Sequence, residues 1–270
     1  MEELRVITLS NCDFIGSIAI SSGLTEIEEC AFFRCRNLES IVIPETVTKI
    51  DSDAFAYSGL KSIILPDGLI EIGGDAFYNC RNLENVIIPK SVNKIGCDAF
   101  AYSGLKSITL LDGRLTEIGN SAFCNCKNLE NVIIPETVTE IGPNAFWNSG
   151  LKSITLLDGW LTEIGEGVFC GCHNLETVVI PKTVTKINPW VFAYSGLKSI
   201  ILPDGLTEIG KDAFYECRKL ENVIIPESVT KIGRYAFAYS GLKSITLPDG
   251  VEIREGAFRN LHNLVVKYRN

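Results

Sequence analysis

Apolar positions return along the chain with a period of about 23 residues. One unit has the form L-x-x-I-x-I-P-x-x-V-x-x-I-x-x-x-A-F and runs over residues 38–55. A small residue followed by Phe marks each unit, at Ala31-Phe32, Ala54-Phe55, Ala76-Phe77, Ala99-Phe100, Ala122-Phe123, Ala145-Phe146, Val168-Phe169, Val191-Phe192, Ala213-Phe214, Ala236-Phe237 and Ala257-Phe258. Successive pairs lie 21 to 23 residues apart. Eleven such copies predict a solenoid in which each unit forms one coil.

The first segment of each unit alternates apolar and polar residues with a period of two. In one unit, Ile41 and Ile43 are predicted to face inward and Val42 outward, as in a short β-strand. Pro44 has no N–H for a strand ladder and is predicted to end the strand. A coil of this size buries too little apolar surface to fold alone, so stability must come from parallel strand pairing and Phe stacking between neighbouring coils.

Units of two types alternate along the chain. Odd units carry C-x-N/K-L-E after the Phe, as at residues 80–84, and even units carry S-G-L-K, as at residues 103–106, so the duplicated unit is about 45 residues long. The pattern is imperfect at both ends of the chain. We therefore predict one repeat domain over residues 1–270, with an N-terminal cap at 1–14, repeats at 15–258 and a C-terminal cap at 259–270.

Composition excludes several function classes. The 270 residues are 46% hydrophobic and carry 33 acidic and 25 basic side chains, a net charge of −8. Acidic and basic residues are interleaved, so no positive field is available for nucleic acid. No apolar run reaches the ~18 residues of a membrane span, and the first residues lack the features of a signal peptide. Two histidines, His173 and His262, leave little material for acid–base catalysis, and we expect no enzyme activity and no cofactor.

These motifs resemble the BspA-like class of bacterial leucine-rich repeats, whose 23-residue unit has the same form with a Cys three residues after the Phe. The resemblance covers essentially the whole chain. It implies a parallel β-solenoid with turns or short 3-10 segments outside the strand face. It also implies a role in protein–protein contact, since similar proteins are commonly bacterial or protist surface proteins linked to adhesion. That origin suggests a cell-surface or secreted location, although this chain shows no signal peptide.

The chain departs from the family pattern at two kinds of position. Ser replaces the consensus Cys in every even unit, at Ser58, Ser103, Ser149, Ser195 and Ser240. Leu111 and Leu157 replace the strand-ending Pro in two units. Each of these two units also holds one extra residue, Arg114 or Trp160, which predicts a bulge after the strand and makes this middle segment the least repeat-like part of the surface.

Ten cysteines invite a disulfide or metal interpretation, but their spacing disfavours both. Cys35, Cys80, Cys126, Cys172 and Cys217 occupy one position in alternate coils, about 9–10 Å apart and beyond the ~7 Å Cα limit for a disulfide. We expect them to be free thiols filling a small apolar slot. Cys12 has no repeated counterpart, so a disulfide from Cys12 to Cys30 or to Cys35 is an open alternative. The cysteines therefore do not decide between a reducing and an oxidising compartment.

The fold does not determine which residues occupy the outward strand positions, so the residues found there are informative about function. One such row is predicted to form the partner-binding site and comprises Val42, Ile64, Ile87, Thr109, Ile133, Thr155, Val179, Ile201, Ile224 and Thr246, here called the aliphatic stripe. It would run ~45 Å along an uncovered face. Two explanations stand: β-branched residues stabilise strands in any case, or the stripe binds a protein or extended peptide, including a second copy of this chain.

Two further sets of residues recur along the coils, one charged and one aromatic. A charged row alternates Glu and Lys at Glu39, Lys61, Glu84, Lys106, Glu130, Lys152, Glu176, Lys198, Glu221 and Lys243, and we expect it to fix the register of the coils. Tyr57, Tyr102, Tyr194 and Tyr239 are predicted to pack between adjacent coils, and Trp160 and Trp190 to be exposed.

The leading hypothesis is a protein–protein interaction module, of the adhesion or attachment type, whose partner is a protein or extended peptide of host or extracellular origin. A self-assembling structural protein is the first alternative. An intracellular scaffold is the second, suggested by the missing signal peptide and the unpaired cysteines.

Overall fold

Each coil places a strand on one side of a stack and a second, shorter strand on another side. The computed structural model describes residues 9–13, 16–20 and 22–268. Within them the Phe rings of eleven successive coils form one continuous stack from Phe32 to Phe258. Every strand pairing is parallel. The segments between strands are turns, and no helix occurs in the described ranges.

The longer strands form what we call the strand face. They are β1 Ser17–Ala19, β3 Ser40–Val42, β6 Asn85–Ile88, β8 Ser107–Leu110, β10 Asn131–Ile134, β12 Ser153–Leu156, β14 Thr177–Val179, β16 Ser199–Ile201, β18 Asn222–Ile224, β20 Ser244–Leu247 and β22 Val265–Tyr268. The third coil contributes isolated bridges instead, Val42 to Ile64 and Ser62 to Asn85. The predicted alternation is confirmed, because the first and third residues face solvent and the second lies in or against the core.

The second side is built from two-residue strands that the sequence did not reveal. They are β2 Glu26–Ile27, β4 Lys49–Ile50, β5 Glu71–Ile72, β7 Lys94–Ile95, β9 Glu117–Ile118, β11 Glu140–Ile141, β13 Glu163–Ile164, β15 Lys186–Ile187, β17 Glu208–Ile209, β19 Lys231–Ile232 and β21 Glu252–Ile253. They form one sheet of six strands and one of five. In all but the last, the Ile is buried, so these strands close the core on the side facing away from the stripe.

The core is a column of aromatic rings lined by aliphatic side chains. Neighbouring Phe rings lie 4.9 to 6.0 Å apart and within 20° of parallel. Ten of the eleven rings, from Phe32 to Phe237, have no accessible surface. Each buried ring therefore packs on the ring above and the ring below, which confirms the predicted Phe stacking between neighbouring coils.

Two residues in each coil adopt a left-handed backbone conformation, one before and one after the Ala-Phe pair. In the second coil they are Asp53, with φ of 56°, and Tyr57, with φ of 60°. Asn, Asp and Gly tolerate this region better than other residues, and they hold many of these positions. The tight turns explain why a small residue precedes each Phe.

Asp53, Asp75 and Asp98 stand at the first left-handed position of three successive coils. Burial, together with the neighbouring Asp53 and Asp98 carboxylates, raises the pKa of Asp75 from 3.8 to about 6. Because the pKa is higher in the folded state, ionisation of Asp75 opposes folding. Its contribution to stability is therefore favourable below about pH 4 and is lost as the pH rises through about 6.

The Asp75→Asn variant is expected to be more stable than the wild type at neutral pH. One pKa unit corresponds to ~1.4 kcal/mol, and partial solvent access reduces the full value, so we expect a gain of about 1–2 kcal/mol. Asn144 holds the equivalent left-handed position, so Asn suits the backbone there. Urea unfolding of both proteins across the pH range measures the effect. The gain should vanish near about pH 4, and a gain independent of pH would contradict the assignment.

The described residues include more of the C-terminal end of the stack than of the N-terminal end. Residues 1–8 and 14–15, which hold most of the predicted N-terminal cap, lie outside the described residues. At the other end β22 pairs in register with β20, and Phe258 stacks 5.8 Å from Phe237. Val266 and Tyr268 occupy inward positions yet are exposed, because none of the described residues forms a further coil over them.

Candidate partner-binding site

The aliphatic stripe lies on the strand face and is open to solvent. Its seven aliphatic members are 59 to 82% exposed, with Ile64 the most exposed and Ile133 and Ile224 the least. Thr109 and Thr155 are exposed between them. Thr246 is half-buried beside Lys267 of β22. The exposed row expected from the sequence is thus present.

The charged row beside the stripe forms ion pairs in a regular pattern. Each Lys of an odd coil contacts the Glu of the even coil before it, at Lys61–Glu39 2.8 Å, Lys106–Glu84 2.7 Å, Lys152–Glu130 2.6 Å and Lys198–Glu176 2.7 Å. Lys198 lowers the pKa of the Glu176 carboxyl through this contact. The row is therefore electrically balanced along its length.

A row of Ser and Asn side chains lies between the charged row and the stripe, and these side chains form hydrogen bonds with each other. Ser107 donates its hydroxyl to the Asn85 side-chain oxygen at 2.6 Å, and Ser153 and Ser244 do the same with the Asn residues of the preceding coils. These bonds and the ion pairs both join an even coil to the odd coil that follows. A partner that meets this face therefore finds little unpaired charge, and the aliphatic side chains are its main accessible feature.

The same step, from an even coil to the odd coil that follows, is also joined in the core by a Ser and a Cys. Cys80 lies 3.4 Å from the Ser58 hydroxyl and donates its S–H to the Phe55 carbonyl at 3.1 Å. The same arrangement recurs at Cys126, Cys172 and Cys217. We expected an apolar slot, and this prediction is wrong, because hydroxyl and carbonyl groups line the slot. Both kinds of bond fall on the same step, so the coils are joined in pairs, which gives the 45-residue duplication a structural meaning.

All ten cysteines are free, and the spacing had predicted this for Cys35, Cys80, Cys126, Cys172 and Cys217. No bridge joins Cys12 to Cys30 or Cys35, and Cys35 instead donates to the Leu9 carbonyl at 3.0 Å. Burial raises the pKa of the Cys80, Cys126, Cys172 and Cys217 thiols to about 12, so these groups are poor nucleophiles. His173 lies beside Cys172 in sequence, but its ring contacts the Tyr194 carbonyl at 2.8 Å.

The predicted aromatic column is denser than the sequence suggested. Tyr78 from an odd coil packs between Tyr57 and Tyr102, with ring centroids 5.4 and 5.5 Å apart. Tyr215 fills the equivalent place between Tyr194 and Tyr239. The expected packing between coils is confirmed. Sequence reasoning missed the odd-coil members because they follow the Phe by one residue rather than two.

Trp160 and Trp190 lie in different environments. Trp160 is 74% exposed, as predicted. The prediction for Trp190 is wrong, because it is half-buried against the Tyr215 ring at 6.0 Å and lies under the Lys211 ammonium group at 5.8 Å.

The strand face is not uniformly closed. Hydrogen-bonded pairing is interrupted between β16 and β18, although strands on either side are paired. A cleft of about 330 Å³ lies at this break and is lined by Ile200, Ile201, Leu202, Asp204, Asn222, Ile224 and Pro226. The stripe is thus interrupted by a recess deep enough to receive a side chain.

Within the described ranges, no group of His, Cys, Asp and Glu residues is arranged to hold a metal ion. None of the described residues forms a helix that could span a membrane. The fold and the uncovered strand face define a solenoid protein of the leucine-rich repeat class.

A family profile described as "BspA type Leucine rich repeat region (6 copies)" matches residues 2–113, 48–160, 96–210 and 151–265. The chain belongs to this family, as the motifs indicated. Leucine-rich repeat proteins of this kind are interaction modules and are typically non-enzymatic binding scaffolds.

Solved structures share the fold. The pneumococcal vaccine antigen PcpA is 22% identical, with a TM-score of 0.62, over 100% of this chain and 80% of that one. A leucine-rich repeat protein from Bacteroides ovatus is 24% identical, with a TM-score of 0.54, over 97% of this chain and 85% of that one. No curated protein sequence shows significant similarity to this chain.

Proposed function

We propose that this protein binds an extended segment of a partner protein along the aliphatic stripe. The observation that supports this most is the exposure of seven aliphatic side chains, 59 to 82% each, in one straight row. A row ~45 Å long and ~10 Å wide covers on the order of 450 Å², within the range of the largest patches that monomeric proteins expose, which are often functional. Strand stability requires β-branched residues but does not require them to remain uncovered.

The chemistry of the flanking rows indicates which partner fits. Charges beside the stripe are paired within the protein, and the Asn and Ser side chains bond to each other. A partner therefore gains most by burying its own apolar side chains on the stripe. The break between β16 and β18 offers an anchoring place for one of them, beside the exposed Asp204.

The footprint of the stripe favours an extended segment over a second copy of this chain. A stable specific interface usually buries about 800 Å² on each partner, roughly twice the area of the stripe. An extended segment advances about 3.3 Å per residue, so 12 to 14 residues span the row. We propose an attachment role for this binding, supported by the BspA-type family and by the resemblance of the motifs to surface proteins.

Charged substitutions within the stripe should abolish this binding without unfolding the protein. Peptides of about 12 residues selected from a random display library on the wild type serve as the probe. We expect the Ile87→Lys/Ile133→Lys double variant to bind them at least ~10-fold more weakly, because each Lys places an ammonium group against apolar side chains. Both positions are exposed, so the thermal transition should stay nearly unchanged.

The matched control is Ile70→Lys, because Ile70 is an exposed aliphatic residue outside the stripe. It should bind the selected peptides like the wild type. Equal loss in the control and in the double variant, or loss of folding together with binding, would refute the proposal. Sedimentation at increasing concentration tests the self-assembling alternative, which a strict monomer excludes. Fractionation of the native cells tests the intracellular scaffold.

A further inference from the structure

Trp160 is the most exposed aromatic residue in the described part of the chain, at 74%. It is also one of only two residues inserted into the repeat, the other being Arg114. The fold does not require it, because the remaining coils make the same turn without an insertion. A large apolar ring held in water at a place with no structural need is a candidate contact for a ligand.

The insertion is held rigidly between two neighbouring coils. The backbone N–H of Trp160 donates to the Glu136 carbonyl at 3.3 Å. Gly159 lies so close to the same coil that an added Cβ would come within 2.1 Å of that carbonyl oxygen. On the other side, the backbone N–H of Lys182 donates to the Asp158 carboxylate at 3.1 Å. The indole is thus presented on an ordered turn.

A shallow depression of about 500 Å³ surrounds the indole. It is lined by Glu136, Asp158, Gly159, Trp160, Lys182 and Thr183. The Glu136 carboxylate and the Lys182 ammonium group form no ion pair with any described residue. One Asp158 oxygen accepts from the backbone N–H of Lys182, and the other accepts no hydrogen bond from the described residues. The depression therefore combines one flat aromatic face with free acceptors and a free donor.

We propose that this depression binds a neutral saccharide, with one pyranose ring stacked on Trp160. The C–H groups of a sugar ring carry partial positive charge and pack on the negative face of an aromatic ring. Sugar hydroxyls both donate and accept, so they can satisfy Glu136, Asp158 and Lys182 together. The volume accommodates a short oligosaccharide.

A polypeptide fits this place less well. Trp residues that anchor protein interfaces lie among apolar neighbours from which water is excluded. Here two carboxylates and an ammonium group surround the ring, and an apolar partner would have to desolvate all three without pairing them. The site is separate from the aliphatic stripe, since it lies on the turn that follows β12 rather than on the strand, so it does not depend on the proposed peptide binding.

The test titrates the full chain with unbranched trisaccharides of glucose, mannose, galactose and N-acetylglucosamine, followed by indole fluorescence and by amide NMR shifts. At least one should bind with a Kd of about 1 mM, typical of a small open site, and shift residues 136, 158–160 and 182–183. The Trp160→Arg variant gives the seventh coil the residue that the fifth coil has, so it should fold normally, and it should weaken binding at least ~10-fold. Trp160→Phe should retain part of the affinity.

Arg114→Ala is the matched control, because Arg114 is the inserted residue at the equivalent position, and it should leave saccharide binding unchanged. Absence of binding by every trisaccharide in the panel would overturn the proposal. So would equal affinity in Trp160→Arg and the wild type. A result in which display-selected peptides, and no saccharide, require Trp160 would assign the residue to protein binding instead.

Discussion

Replacing Phe123 by Ala is expected to lower the free energy of unfolding by about 4 kcal/mol. The Phe123 ring has no accessible surface and stacks 5.5 Å from Phe100 and 5.1 Å from Phe146. Removing it leaves a cavity in the middle of a continuous column, and both neighbouring rings lose a partner. Because stability passes from coil to coil, a gap at the centre weakens the halves on both sides.

The control for this prediction is Phe258→Ala at the C-terminal end of the column. That ring is half-buried and stacks on one neighbour only, Phe237, at 5.8 Å. We expect a loss of about 1–2 kcal/mol there. Urea unfolding followed by circular dichroism measures both values. Equal losses at the centre and at the end would contradict a column whose stability depends on ring stacking.

The second large effect is expected at Gly104, where Ala should cost about 3 kcal/mol or more. A Cβ at this position would lie 2.0 Å from the Arg81 carbonyl oxygen and 2.8 Å from its carbon. Both are backbone atoms of the preceding coil, so the clash can be relieved only by separating the coils. The same close approach occurs at Gly59, Gly150, Gly196 and Gly241.

Gly205→Ala is the matched control, because its nearest contact would be the Lys182 carbonyl oxygen at 3.7 Å, an ordinary van der Waals distance. We expect it to change the free energy of unfolding by less than ~1 kcal/mol. Thermal unfolding of the two variants side by side decides the matter. A Gly104→Ala protein as stable as Gly205→Ala would show that the coils are less closely packed than described.

Much of this architecture follows from the sequence because each repeated position has one physical reason. Ile41 and Ile43 alternate with Val42, and the structure buries the first two and exposes the third. Phe at a fixed spacing predicts the ring column, and the family follows from the same motif. Repetition strengthens these inferences, since every coil tests the pattern again.

Other features depend on contacts between coils and could not be found from one unit. The two-residue strands such as Lys49–Ile50 are too short to show a period of two. The bond between Ser58 and Cys80 requires knowing that the Ser of one coil faces the Cys of the next. Ser240 also shows that this bond depends on the next coil. That coil has no Cys at the facing position, and the Ser240 hydroxyl has no hydrogen-bond partner.

The stripe residues were predicted as exposed, and all except the half-buried Thr246 are exposed, while their role as a binding site stays a prediction. The saccharide site at Trp160 could be located from the sequence only as an irregularity. Its acceptors and donor come from Glu136, Asp158 and Lys182 in three different coils, and only the stacking of those coils brings them together.

Carbene footprinting with mass spectrometry tests the central claim most directly, comparing the protein alone with the protein saturated by a display-selected peptide. The account predicts strong labelling of the row from Val42 to Ile224 in the free protein and its loss in the complex, while Ile70 is labelled equally in both states. Weak labelling of that row in the free protein, or labelling that the peptide does not change, would contradict it.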